Sequence, residues 1–164
     1  MKNLTRVELK KNPLHKMYLA IMIISIICLA LSIIIQIEKT SYSKNQGGLC
    51  SAITGANGCE AVQTSNYGKI LGMDNPIYGM IGFALIIIFT SILILRKNKD
   101  NNIVNKVLKY VTITGGIISG ITAIWFLYVQ TFILHTYCFF CVIVDILSLT
   151  LLGISIYLIF KEHK

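Results

Sequence analysis

Four long apolar runs constrain the fold of this chain more than any other feature of its sequence. Each is long enough for a helix across the hydrocarbon layer of a membrane, which needs about 20 residues. Little alternation of apolar and polar residues occurs along them, so they predict helices rather than barrel strands. The expected fold is all-α: a polytopic membrane four-helix bundle, forming one integral-membrane domain over residues 1–164. The runs are 17–37, 76–95, 110–134 and 138–160.

The composition supports a membrane protein. The chain is 55% hydrophobic and 13% charged, with a mean hydropathy of +0.71. Soluble domains average about 45–50% apolar and about 25% charged residues, so an ordinary soluble enzyme and a disordered chain are both excluded. The net charge of +8 would suggest nucleic acid in a soluble protein. Here the basic residues lie mainly between the apolar runs, so we expect membrane lipid around the chain and no nucleic-acid partner.

The distribution of Lys and Arg predicts the orientation. Residues 1–16 and residues 96–109 hold five each, whereas residues 38–75 hold three and residues 135–137 none. Cytoplasmic segments carry the excess of basic residues. We therefore expect a multi-pass protein of the cell (cytoplasmic) membrane, with both termini in the cytoplasm and the 38–75 loop outside. The first run is longer than the apolar region of a signal peptide, and no small-x-small cleavage site follows it, so it is interpreted as a retained span.

The outer loop, residues 38–75, is the longest polar stretch and contains six of the 12 glycines. It has too little apolar content to fold alone, so it is expected to rest on the bundle or on the membrane surface as a cap. Residues 59–71 predict a short helix in this cap, weakened by Gly68. Pro76 suits the first position of the second span. The expected apolar face of the short helix is Ala61, Val62, Tyr67 and Ile70.

Four of the five cysteines fall at the outer face, and they are the candidate catalytic residues. Cys50 and Cys59 lie in the loop, whereas Cys138 and Cys141 form a C-x-x-C motif at the start of the fourth helix. This spacing places two sulfurs within bridging reach, and the amino end of a helix stabilises a thiolate. The pattern predicts electron transfer by thiol–disulfide exchange, from an outside partner to the loop pair and then to the C-x-x-C pair. Cys28, within the first run, is interpreted as a small buried hydrophobic residue.

Other interpretations of the cysteines stay open. Both pairs could be static disulfides in a non-enzymatic four-span protein, since extracellular loops often carry structural bridges. A bridge that closes only two intervening residues restrains little chain entropy, which weakens this interpretation for the C-x-x-C pair. A four-cysteine zinc site is disfavoured because the loop spacing exceeds that of a zinc knuckle, so no metal is expected.

A lipid-soluble quinone is the expected electron acceptor, because the sequence has no haem-binding histidine pair across the spans and no dinucleotide fingerprint. A quinone needs an apolar, aromatic pocket with one or two hydrogen-bond donors. Asn75 would supply an amide donor. For most of the aromatic residues taken singly, packing against lipid is the better interpretation. The aromatic candidates at the outer ends of the spans are Tyr78, Trp125, Phe126, Phe132, Tyr137, Phe139 and Phe140.

Two titratable residues near the C-x-x-C motif are candidates for proton transfer. Asp145 follows Cys141 by four residues and therefore lies on the same helical face. An acid within a span usually marks a pathway or a site, so Asp145 would relay protons to a quinone or tune Cys141, the alternative being a hydrogen-bonded carboxyl near the interface. His135 is interpreted either as a proton donor or as a solvated loop histidine.

The order of these motifs resembles the vitamin K epoxide reductase (VKOR) family, and its bacterial members in particular. The resemblance extends from about residue 15 to residue 160. It implies a four-helix bundle around a quinone, capped by the loop. The matching elements are the loop pair Cys50 and Cys59, the stretch Thr64–Gly68, the stretch Asn75–Gly79 and the stretch Tyr137–Cys141.

The resemblance also implies residue roles. Cys141 would face the quinone, Cys138 would exchange with Cys59, and Cys50 would meet the partner. Ser65 matches a family position near the cap, and Asn75 matches one that hydrogen-bonds a quinone carbonyl. Together with the aromatic and acidic candidates above, the candidate quinone-binding residues are Ser65, Asn75, Tyr78, Phe140 and Asp145.

The function implied by the resemblance is a quinone-dependent thiol–disulfide oxidoreductase. It would reoxidise an extracytoplasmic thioredoxin-like or DsbA-like partner and pass electrons to menaquinone or ubiquinone. Mammalian members have a Tyr where Asp145 stands, which counts against vitamin K epoxide as the natural substrate, although epoxide or quinone reductase activity stays an alternative. A DsbB-type protein would carry its two cysteine pairs in the reverse order. Some bacterial members have a fused thioredoxin-like domain, and none follows Lys164 here, so we expect a separate partner.

Overall fold

The computed structural model describes residues 13–42, 50, 58–70, 72–96 and 103–162. Four helices in this part of the chain are long and apolar enough to cross a membrane. They are α1 (Pro13–Tyr42), α3 (Asn75–Leu95), α4 (Ile103–Tyr128) and α5 (Phe139–Glu162). A short helix, α2 (Gly58–Thr64), lies between the first two, and a π-helical turn, Val129–Ile133, continues α4. The predicted all-α fold with four apolar spans is thereby confirmed.

The long helices extend beyond the apolar runs. The first predicted span begins at residue 17 and α1 begins at Pro13, while the third begins at residue 110 and α4 begins at Ile103. The added residues of α4 include Lys106 and Lys109, which suit the polar boundary of a membrane rather than its interior. An apolar run measures the part of a helix in contact with hydrocarbon, and helical hydrogen bonding continues past it.

The four long helices pack as a bundle. Helix α1 contacts α3 and α5, and α4 contacts α3 and α5. Cys28 is fully buried in the central core, as predicted for a small hydrophobic residue. Large aliphatic residues cover the outer faces, which suits helices surrounded by lipid. The central core consists of Tyr18, Ile21, Cys28, Phe83, Ile86, Ile113, Leu151 and Leu158.

Helices α4 and α5 approach closely at two glycines. A Cβ at Gly116 would collide with the Ser155 hydroxyl, and one at Gly120 would collide with the Leu152 side chain. The Gly116-x-x-x-Gly120 motif therefore serves close helix packing, because only a residue without a side chain leaves room for the facing helix.

The outer loop contains less helix than predicted. A continuous helix over 59–71 is wrong, because α2 ends at Thr64 and a 3-10 turn, Asn66–Gly68, follows it. Two short strands, β1 (Lys69–Ile70) and β2 (Met73–Asp74), then form an antiparallel hairpin. Of the expected apolar face, Val62 is buried, whereas Ala61 and Tyr67 are exposed; the Ile70 side chain lies outside the described residues.

The cap rests on the bundle through α1, as expected. The Lys39 Nζ lies 2.7 Å from the Asp74 Oδ1, and the Gln36 Nε2 lies 3.4 Å from the Asp74 Oδ2. The hydrogen bond from Lys39 lowers the pKa of the Asp74 carboxyl below its ordinary value. This ion pair fastens the hairpin to the carboxyl-terminal end of α1. Residues 43–49 and 51–57 of the loop lie outside the described residues.

Candidate functional site

The fold brings the four predicted site cysteines together. Cys50 and Cys59 form a disulfide. Both pack with Cys138 in one buried apolar cluster, and Cys141 contacts the edge of this cluster. The loop pair and the C-x-x-C pair therefore share a water-excluded environment, although they are almost 80 residues apart in sequence. The remaining buried members of the cluster are Ile35, Val62 and Phe140.

Cys138 has the environment of a nucleophilic thiol. It directly precedes α5, and its carbonyl oxygen accepts the Val142 N–H at 3.0 Å. Its sulfur lies 2.7 Å from the Cys141 sulfur. The hydrogen bond from the Cys141 thiol lowers the pKa of Cys138, against the opposing effect of burial. Because the thiolate is the species that attacks a disulfide, Cys138 is prepared for exchange.

The side chain of Gln63, in α2, also faces Cys138. Its Nε2 lies 4.0 Å from the Cys138 sulfur, and this contact too lowers the pKa of the thiol. A long, weak hydrogen bond of this kind favours the thiolate. The cap thus contributes to the chemistry of the C-x-x-C pair as well as covering it.

A cavity of about 640 Å³ lies beside the cysteine cluster, bounded by the cap and all four long helices. Its volume is within the range of small-molecule sites, roughly 300–1,000 Å³. Cys141 lines this cavity, whereas Cys50, Cys59 and Cys138 do not. Of the four cysteines, Cys141 is thus the one placed to meet a molecule bound between the helices.

Four of the five candidate quinone-binding residues line the cavity, namely Ser65, Asn75, Tyr78 and Asp145. Phe140 does not, and this differs from the expectation. It is buried against the cysteine cluster instead. Successive residues of a helix point about 100° apart, so a residue next to Cys141 faces another direction.

The other aromatic candidates divide in the same way. Phe126 lines the cavity together with Tyr78. Four others are 46% to 65% exposed, which suits packing against lipid rather than against a quinone. These four are Trp125, Phe132, Tyr137 and Phe139. His135 is exposed at the turn before α5 and does not line the cavity, as expected of a solvated histidine.

Two polar side chains at the cap end of the cavity form hydrogen bonds with the cap. The Asn75 Nδ2 donates to the Tyr67 carbonyl oxygen at 2.9 Å. The Ser65 hydroxyl donates to the Val62 carbonyl oxygen at 2.8 Å. Both side chains therefore hold the cap in place, and each retains an oxygen that can accept a hydrogen bond.

Asp145 belongs to a buried network that the sequence did not reveal. Its side chain lines the cavity and is only 6% exposed as a residue. The Gln130 Nε2 donates to the Asp145 Oδ2 at 3.2 Å, and the Gln130 Oε1 accepts the Cys138 N–H at 3.1 Å. Gln130 thus connects the carboxyl to the start of α5. The structure agrees with the interpretation of Asp145 as a hydrogen-bonded carboxyl, while its role in proton transfer or in tuning Cys141 stays a prediction.

Gln130 itself was missed because it occurs within an uncharged run. It is fully buried and lies in the π-helical turn Val129–Ile133. Such turns within helices are frequent at functional sites. The available signal was a single amide in an apolar span, where a polar side chain is costly unless it has a partner.

Glu38 is the second residue that was missed. It is 4% exposed, and its Oε1 accepts the Cys50 N–H at 2.7 Å. Its carboxylate oxygen and the Cys50 and Cys59 sulfurs all lie within 4.8 Å of one another. Metal ligation by cysteine requires free thiolates, and these two sulfurs are bonded to each other. In this state the group is a disulfide with an adjacent acid.

Residues 19–156 match the model of the vitamin K epoxide reductase family. The matched region contains the cap, both cysteine pairs and most of each long helix. A search of curated proteins finds no match to this sequence.

Proposed function

This chain belongs to the vitamin K epoxide reductase family of oxidoreductases, and we propose that it oxidises the thiols of an extracytoplasmic partner with a membrane quinone as electron acceptor. One observation carries the proposal. Both cysteine pairs share one buried cluster, while Cys141 alone of the four lines the adjacent cavity. Electrons therefore have a continuous route from the loop disulfide to the interior of the bundle.

The first half of the proposed reaction is exchange among sulfurs. Thiols of a thioredoxin-like or DsbA-like partner reduce the Cys50–Cys59 disulfide, with Cys50 meeting the partner. Cys59 then exchanges with Cys138. The lowered pKa of Cys138 supports this order, because a more acidic thiol leaves faster from a mixed disulfide.

The second half takes place at the cavity. A bound quinone supplies an acceptor for two electrons and two protons. Cys141 presents its sulfur to the cavity, and Cys138 completes the new disulfide from 2.7 Å away. Asp145 holds a carboxyl in the same wall, fixed by Gln130, and serves as a proton donor there. Menaquinone and ubiquinone both suit the apolar lining.

The membrane orientation is part of the proposal. Lys and Arg are concentrated before the first span and between the second and third spans, which favours a cytoplasmic location for these segments. The cap and both cysteine pairs then face the outside of the cell membrane, where disulfides persist.

The test is partner oxidation in lipid nanodiscs. A reduced thioredoxin-like protein and decylubiquinone are supplied, and the loss of partner thiols is followed. We expect Cys138→Ala and Cys141→Ala to abolish the reaction, whereas Cys28→Ala, at a buried position outside the site, retains it. Full activity of Cys138→Ala or Cys141→Ala would overturn the proposal. Reduction of vitamin K epoxide at a rate equal to partner oxidation would favour the epoxide reductase alternative.

A further inference from the structure

A buried acid, Glu38, lies at the junction of the two cysteine pairs. It is in the last outer turns of α1, and its carboxylate oxygen and the Cys50 and Cys59 sulfurs are within 4.8 Å of one another. Its charge also acts on Cys138, whose pKa it raises. One carboxyl group is therefore in electrostatic reach of three of the four site sulfurs.

A purely structural role does not require an acid at this position. Glu38 accepts the Cys50 N–H, and the oxygen of a neutral glutamine can accept the same hydrogen bond. Burying a carboxylate costs more than burying an amide, and Glu38 is 4% exposed. The acid is therefore expected to contribute chemistry that an amide cannot.

The exchange between the pairs needs a proton acceptor. A thiolate is the nucleophile, so a reduced loop cysteine has to lose its proton before it attacks. Cys50, Cys59 and Cys138 are all at most 1% exposed in the structure, so bulk water reaches their sulfurs poorly. Below the ordinary pKa of a thiol, a protein group beside the loop sulfurs is therefore the favoured proton acceptor.

We propose that Glu38 is the general base for electron transfer from the loop pair to the C-x-x-C pair. This role deepens the proposed function and rests on it. Cys59 gives its proton to Glu38 and attacks Cys138, so that the Cys59–Cys138 bond forms and the Cys138–Cys141 bond breaks. Cys141 leaves as a thiolate and takes up the proton that Cys59 gave to Glu38. The Glu38 carboxylate is then free for the second exchange.

The second exchange repeats this transfer. Cys50 gives its proton to Glu38 and attacks Cys59, so that the Cys50–Cys59 bond forms and the Cys59–Cys138 bond breaks. Cys138 leaves as a thiolate and then takes up the proton. Two electrons have moved from the loop pair to the C-x-x-C pair, and each proton has followed. One carboxyl suffices because each step consumes one thiol and produces one thiolate.

The charges around Glu38 suit this role. Among the described residues, the titratable groups placed near it include Cys50 from the loop, Cys59 from α2 and Cys138 from the start of α5. Lys39, the next residue in α1, is paired with Asp74 instead. When Glu38 takes up a proton, its negative charge near Cys138 disappears, and Cys138 leaves more readily as a thiolate.

The experiment follows the oxidation of fully reduced protein in nanodiscs by excess decylubiquinone, with acid quenching and alkylation at each time. The C-x-x-C pair should be oxidised first and the loop pair second. Glu38→Gln keeps the oxygen that accepts the Cys50 N–H. We expect it to leave the first phase unchanged and to slow the second roughly 100-fold at pH 6.5, a value typical of a lost general base. Glu60→Gln, at an exposed position beside Cys59, is the matched control and should retain both phases.

The pH dependence separates a base from a structural residue. Thiols ionise by themselves near their ordinary pKa of about 8.5, so the defect of Glu38→Gln should narrow to a few-fold at pH 9. Glu38→Asp, which keeps a carboxyl, should recover a large part of the rate. An unchanged second phase in Glu38→Gln, or an equal defect at every pH, would overturn the role of Glu38 while the proposed function stands. Absence of the first phase in the wild type would overturn both the role of Glu38 and the proposed function.

Discussion

Replacement of Gln130 by methionine tests the network that joins the cavity to the C-x-x-C motif. The methionine side chain has a similar length and shape but no hydrogen-bonding amide. It removes the acceptor at 3.1 Å from the Cys138 nitrogen and the donor at 3.2 Å from the Asp145 Oδ2. Both orphaned groups are buried, and each unsatisfied buried group costs about 1–3 kcal/mol. The free energy of unfolding should therefore fall by about 2–6 kcal/mol.

The assay uses Cys28 as a reporter of unfolding. When both cysteine pairs are oxidised, Cys28 is the remaining free thiol of the five cysteines, and it is fully buried. A thiol-reactive fluorophore therefore reports its exposure on heating in detergent. At about 2–4 °C per kcal/mol for a chain of this size, Gln130→Met should lower the Tm by at least roughly 4 °C.

Two further variants calibrate that result. Thr150→Val removes an exposed hydroxyl that bonds only to its own helix, at 3.0 Å from the Ile146 oxygen, and should leave the Tm within about 1 °C of the wild type. Gln130→Glu keeps the acceptor for the Cys138 N–H and should lose less stability than Gln130→Met at acidic pH, where its carboxyl is neutral. A Tm for Gln130→Met that equals the wild-type value would refute the reasoning.

Three other predictions concern packing, the cap and proton donation. Gly120→Ala should destabilise the bundle by about 1–3 kcal/mol in the same thermal assay, because its Cβ would collide with α5; Gly153→Ala, where a Cβ meets nothing within 4 Å, should not. Since Lys39 lowers the pKa of Asp74, the ion pair stabilises the fold above the ordinary Asp pKa of about 3.9, and this contribution is lost as the pH falls through the lowered value. Asp74→Asn should therefore lower the free energy of unfolding by less than about 1 kcal/mol at pH 7, seen as a slightly lower Tm. It should have no effect at pH values below the lowered pKa of Asp74. Asp145→Asn should slow quinone-dependent turnover at least about 100-fold, while thiol exchange between the two cysteine pairs, measured without quinone, keeps its rate.

The sequence predicted the features that local patterns determine. Uncharged runs identified the four spans, and the spacing of the C-x-x-C motif at a helix start placed Cys138 and Cys141 together. The failures involve orientation and tertiary contact. Phe140 was assigned to the quinone pocket as an aromatic residue at the end of a span, but the rotation between neighbouring residues of a helix turns it into the cysteine cluster. The rotation of a helix about its own axis, which decides which residues face the cavity, is set by the elements that the helix packs against.

The buried polar residues were hidden for a related reason. Gln130 contacts Cys138 and Asp145, and Glu38 contacts Cys50, so the partners of each lie in other elements of the fold. Neither residue belongs to a short motif whose spacing would reveal these contacts. In the cap, propensity suggested a helix to residue 71, yet the chain turns at Ser65 so that the hairpin can reach Lys39. Only the folded bundle supplies that anchor.

The most direct test of the central claim is a count of thiols before and after addition of quinone. The chain has five cysteines, and fully reduced protein in nanodiscs should present all of them to an alkylating reagent after denaturation. Anaerobic incubation with excess decylubiquinone should leave one, Cys28, because both pairs pass their electrons through Cys141. Cys141→Ala should keep all of its remaining thiols under the same conditions. A wild-type count that stays at five, or loss of thiols from Cys141→Ala at the wild-type rate, would contradict the account.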